Sequence, residues 1–151
     1  MNTNKSIEES LAEGGTHVST TVGYSMYPML RNRRDRVIVT AIGDKKLGRY
    51  DLPLYKRPDG KYVLHRILRV KDDHYVIRGD NTYVLERVPF DWVIGYVTEF
   101  YRGDRHVSAD AKGYRAYAAL WHFIYPARYL YRRTRSLGGR ILRKLGLKRK
   151  K

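Results

Sequence analysis

Apolar and polar positions along this 151-residue chain fall into three regimes. The first is short. Ser6-Ile7-Glu8-Glu9 has the spacing of a capping box, in which a hydroxyl and a carboxylate each satisfy a free N–H of the first helical turn, and Gly14-Gly15 supplies a stop, so a helix is predicted over Ile7–Glu13. The second regime is a succession of short runs that read as strands: His17–Val22, Arg36–Ala41, Leu52–Lys56, Lys61–Val70, His74–Arg78 and Trp92–Phe100. Turn chemistry separates them at Gly43-Asp44, Pro58-Asp59-Gly60, Lys71-Asp72-Asp73 and Gly79-Asp80-Asn81. Many short strands in so little chain predict a mainly β fold, a small β-barrel or folded sheet.

The third regime begins at Ala109, where the period becomes helical. Tyr114, Tyr117, Ala118, Trp121 and Tyr125 recur at spacings of three and four, and Pro126 is expected to break or kink the run. Gly138-Gly139 is expected to interrupt a second basic segment, leaving Arg140–Lys151 as a cationic amphipathic stretch. The chain thus divides into an entry helix (1–16), a β domain (17–108) and a basic, aromatic helical tail (109–151).

Charge sharpens that division. Residues 111–151 carry 13 Lys and Arg and no acid, while all 15 acids lie in 1–110 against 18 basic residues, so a net +16 resolves into +13 on the tail and +3 elsewhere. Such a block is a surface for anionic lipid, or secondarily for nucleic acid. There is no cysteine, which excludes disulfides and thiolate chemistry. The five histidines show no paired ligand spacing, so neither metal nor cofactor is expected. Met1–Thr16 has no apolar run of the secretory kind, and the longest apolar stretch, Ala116–Tyr125, is half the roughly 20 residues a spanning helix needs. The expectation is a peripheral-membrane or cytoplasmic chain that does not cross a bilayer.

Candidate chemistry lies in the β domain. In the predicted strand Lys61–Val70, alternation puts Val63, His65 and Ile67 on one face and Tyr62, Leu64 and Arg66 on the other. An imidazole among apolar neighbours is partly desolvated, which favours the neutral form that a general base requires. By itself Ser25 reads as a turn serine and Gly79-Asp80-Asn81 as a hairpin or Asx turn.

Taken in order, however, five boxes go together: Ser25-Met26-Tyr27-Pro28, Asp35 before Val37-Ile38-Val39, His65-Arg66, Gly79-Asp80-Asn81 and Ile94-Gly95-Tyr96-Val97. From about His17 to Thr98 the chain resembles the type I signal peptidase and LexA-like serine peptidase superfamily, in its Ser-His branch. The resemblance implies a serine endopeptidase acting on a precursor or leader-bearing protein. Ser25 would be the nucleophile, with its N–H as an oxyanion donor, His65 the general base that a serine hydroxyl needs, and Met26 a lining residue of the substrate cleft. An extended substrate would add to a sheet edge and place a small side chain near the cleft.

Two positions depart from the family pattern. Arg34 replaces the Gly of the first Gly-Asp pair, and Glu86 stands where Ser-His relatives often carry Asp. The acid of the site is therefore either Asp80 or Glu86. Gly23, having no hydroxyl, leaves the second oxyanion donor unassigned. Lys56 and Lys61 are the candidates for a Ser-Lys variant, and the cluster Arg31, Arg33, Arg34 and Arg36 could steer an acidic peptide. His17, His74, His106 and His122 are expected at the surface or as filler. Two other functions compete: a LexA-like self-cleaving regulator, opposed by the short stretch before Ser25 and the lack of an Ala-Gly or Cys-Gly scissile pair, and a non-catalytic basic module binding membrane or nucleic acid.

Overall fold

The computed structural model describes residues 6–144, with side chains to residue 135. Helix α1 (Ile7–Gly14) carries the predicted capping box: the Ser6 hydroxyl accepts from Glu9 N–H at 3.1 Å, and the Glu9 carboxylate accepts from Ser6 N–H at 2.8 Å. Leu11 is its buried anchor. Strands β1 (Thr16–Thr20) and β2 (Arg36–Ala41) form the first antiparallel pair. Then come β3 (Pro53–Lys56), β4 (Tyr62–Leu64), β5 (Arg66–Val70), β6 (His74–Arg78), β7 (Glu86–Pro89), β8 (Val93–Arg102) and β9 (Arg105–Ser108). Helices α2 (Lys112–Phe123) and α3 (Tyr125–Lys144) complete the described chain.

The strands make two sheets. One runs β1-β2-β8-β3-β4, with β9 also on β8; the other is β5-β6-β7. The larger sheet curls into a half-barrel that does not close, so of the two expected forms the folded sheet is the one adopted. Its end strands β1 and β4 keep one edge each without a strand partner among the described residues.

Two predicted elements are revised. The expected strand Lys61–Val70 is broken at His65: Leu64 pairs with Leu54 in one sheet, and Arg66 pairs with Arg78 in the other. The chain changes sheet there, which period-two alternation cannot reveal, and Arg66 becomes fully buried instead of facing away. In the tail the revision is at Gly138-Gly139; the break expected at Pro126 is present, with α2 ending at Phe123 and α3 starting at Tyr125, one residue before that proline. It occupies the first turn of α3, where its missing N–H has no helical acceptor to lose. The helix runs through Gly138-Gly139 to Lys144, and the rest of the expected stretch Arg140–Lys151 lies outside the described residues.

Apolar side chains gather in two clusters. Met26, Met29, Leu30, Val37, Val39, Leu52, Leu54, Val97 and Phe100 pack with Leu11 of α1 and Tyr114 of α2. Tyr55, Ile67, Tyr75, Ile77, Val88 and Val93 fill the space between the sheets. Met26, Met29 and Leu30 come from the long loop between β1 and β2. Their burial fixes that loop, which also carries Ser25.

Candidate functional site

The loop from Thr21 to Asp35 is stitched across its base. Thr21 N–H donates to Asp35 O at 2.9 Å, and Arg33 N–H to Thr21 O at 2.7 Å. The Asp35 carboxylate is wholly buried and accepts from Arg31 N–H (2.8 Å), the Arg31 guanidinium (2.7 Å) and Gly103 N–H (3.1 Å). Burial alone would raise its pKa, but these donors hold it below the ordinary carboxylate range. Arg31 is thus committed to structure, and Arg36 lies over the Tyr101 ring at 5.3 Å. At the loop tip Gly23 has φ +100°, a backbone that favours glycine, and its N–H donates to Asn32 Oδ1 at 2.9 Å. That bond removes Gly23 N–H as a second oxyanion donor.

The turn after β6 holds Ser25 from the other side. Asn81 N–H donates to the Ser25 carbonyl at 2.8 Å, and Asn81 Nδ2 to the Tyr24 carbonyl at 3.1 Å. Gly79 lies against both members of the expected dyad. A Cβ there would sit 2.6 Å from Ser25 O and 3.0 Å from His65 Nε2. No hydrogen bond joins Ser25 to His65 among the described residues, a gap common in unliganded active sites, where such bonds tighten on substrate binding.

His65, at the junction of the sheets, is 6% exposed. Its Nδ1 is 3.1 Å from Glu86 Oε1 and 3.4 Å from Tyr55 Oη. Tyr55 donates to Glu86 Oε2 at 3.0 Å, and Arg57 pairs with the same oxygen. Burial would raise the Glu86 pKa, yet Arg57, His65 and Tyr55 together keep it below its ordinary value. An ionised Glu86 selects the tautomer with the proton on Nδ1, leaving the Nε2 lone pair toward Gly79 and Ser25. Burial lowers the His65 pKa, more than Glu86 raises it. The result is a neutral imidazole with an acceptor nitrogen on the Ser25 side.

Asp80 is elsewhere. Its carboxylate is 2% exposed and accepts from Arg66 Nε (2.8 Å) and Nη2 (2.7 Å), so of the two candidate acids Glu86 is the one on the imidazole. Burial would raise Asp80, but Arg66 holds it low. Arg66 also donates to Tyr114 Oη (2.7 Å) and to Tyr50 O (3.2 Å), and its Nη2 lies 2.8 Å from Met29 Sδ. Lys56 pairs with Glu8 and Lys61 with Asp59. His122, expected at the surface or as filler, takes the second role: it is stacked on Tyr50, its Nδ1 lies 3.0 Å from Arg78 Nη2, and its Nε2 stands 3.4 Å from Asp80 Oδ1 without forming a hydrogen bond.

A cleft of about 380 Å³ opens between β1 and β4, the two edges of the curled sheet. Ser25, Met26 and His65 line it, with Val37, Val39 and Leu54 as an apolar floor. Among the described residues Arg57 is the one arginine on its wall, and neither Lys56 nor Lys61 lines it. Sequence reasoning missed Tyr55 and Arg57; their alternate positions on β3 and just beyond it were the available signal. Among the described residues no three His, Asp or Glu side chains converge as a metal would require. Compared with known proteins, the chain matches no family model and no curated relative.

Proposed function

We propose that this protein is a serine endopeptidase of the signal-peptidase-like kind, cleaving a peptide bond in a precursor or leader-bearing substrate. One observation carries the reading: a serine and a neutral, carboxylate-oriented histidine line the same apolar cleft, with Nε2 on the serine's side. Ser25 Oγ attacks the scissile carbonyl carbon while its proton passes to His65 Nε2. Glu86 stabilises the imidazolium so formed, and that proton then leaves with the amine. Water, activated by the same nitrogen, hydrolyses the acyl-serine ester. Ser25 N–H serves the developing oxyanion, and Met26 shapes the cleft. The open edges of β1 and β4 suit an extended peptide.

A serine-directed fluorophosphonate tests this. It should attach to Ser25, as read by peptide mass mapping, and Ser25→Ala and His65→Ala should each abolish labelling and peptide cleavage with folding intact. Absence of labelling in the wild-type protein would reject the peptidase in favour of a non-catalytic basic module.

The second part of the proposal is an anionic membrane surface as partner. Exposed Leu130 and Tyr131 on α3 lie among Arg128, Arg132, Arg133 and Arg135, a composition suited to the headgroup boundary. No helix among the described residues is long and apolar enough to cross a bilayer, so the association would be peripheral.

A further inference from the structure

The helical tail reaches the Gly79-Asp80-Asn81 turn. Trp121 Nε1 of α2 donates to the Asp80 carbonyl at 2.9 Å, and Arg128 Nη2 of α3 donates to the same oxygen at 3.1 Å. The Arg128 guanidinium lies 3.5 Å above the Trp121 ring, so each donor braces the other. Around this point, Arg78 sits 3.3 Å over Tyr125, while the Tyr83 ring meets Tyr125 and Tyr129 at 5.6 and 5.5 Å.

Asp80 C=O and Asn81 N–H belong to one planar peptide unit. Two donors on the oxygen fix the orientation of that plane, and therefore of the N–H on its opposite side. That N–H is the group bonded to the Ser25 carbonyl. Hydrogen bonds on the two ends of one amide also polarise each other in the strengthening sense. The tail is thus joined to the Ser25 main chain through a single amide.

We propose that Trp121 and Arg128 are positioning residues for Ser25, acting through the Asp80–Asn81 peptide plane. The catalytic part of this inference rests on the peptidase reading; the mechanical part does not. A tail serving only as a membrane tether would be dispensable for chemistry on a soluble peptide. This one is not, because its removal frees the plane that holds the Ser25 loop.

The experiment compares the full-length protein with Trp121→Phe, which keeps the ring beside Tyr117 but loses the donor, and with Trp121→Phe/Arg128→Met. Amide exchange at Asn81 is read by NMR, and fluorophosphonate acylation of Ser25 by mass spectrometry. In the double variant Asn81 exchange should rise about tenfold, the size expected for two lost net hydrogen bonds, with β6 amides unchanged. Acylation should slow by about fivefold to tenfold. Arg128→Lys, retaining a donor, should restore part of both effects. Unchanged Asn81 exchange in a natively melting double variant overturns the proposal; should that variant not fold, Trp121→Phe alone decides by the same reading. Faster exchange with unchanged acylation would overturn the catalytic part. If wild-type Ser25 is never acylated while Asn81 still responds, the peptidase reading fails and the mechanical link stands.

Discussion

Gly79→Ala is the most direct probe of the site's geometry, since it adds one methyl group where the structure has no room. The new Cβ would meet the Ser25 carbonyl oxygen at 2.6 Å and His65 Nε2 at 3.0 Å. Carbon–oxygen contacts settle at about 3.3–3.6 Å, so the Ser25 main chain or the turn must retreat by roughly 0.8 Å. Ser25 has little freedom to do so, because Met26, Met29 and Leu30 are buried beside it and Asn81 holds its carbonyl. Overpacking of this kind costs about 1–3 kcal/mol, which for a chain of this size lowers Tm by roughly 2–10 °C. A reacting group misplaced by about 1 Å loses on the order of 10²-fold in rate. Fluorophosphonate acylation should therefore slow about 100-fold while a thermal melt still reports a cooperative fold. An alanine variant that melts and acylates like the wild type would refute the placement of Gly79 between Ser25 and His65.

Three further outcomes follow from named contacts. Because burial holds the His65 pKa below its ordinary value, kcat/KM should rise with pH at a midpoint below about 6.5, and Glu86→Gln, which removes a neighbour that raises that pKa, should move the midpoint lower still while reducing the plateau; a shift to higher pH would contradict the contact. Arg66→Leu strands the buried Asp80 carboxylate and should destabilise the fold by about 3–5 kcal/mol in urea titration, whereas a near-neutral result would mean the pair is solvated. Sedimentation with anionic vesicles should retain the protein at low salt and release it at high salt; retention by nucleic acid with no vesicle binding would assign the basic tail to a different partner.

Local chemistry made much of the architecture legible in the chain. Ser6 and Glu9 satisfy each other's N–H groups within one turn, and alternation with turn residues marks strands whatever their neighbours, so α1 and most strands are readable where they occur. The Ser25 and His65 boxes are likewise short-range patterns. The partners of those residues are not. Alternation assigns a face to His65 but cannot say that the chain leaves one sheet and enters another there. Nor can it say that Glu86, from β7, arrives at Nδ1 while Asp80, on its inviting turn, is taken by Arg66. A lone arginine in a strand pattern reads as exposed; only a carboxylate and a phenol brought from 14 and 48 residues away make its burial tolerable. The tail is legible from its helical period and its charge, both properties of the local sequence. That its Trp121 and Arg128 converge on one carbonyl of the turn beside Ser25 was decided by how α2 and α3 pack, because hydrogen bonds between distant segments exist only once the fold has set their distance and direction.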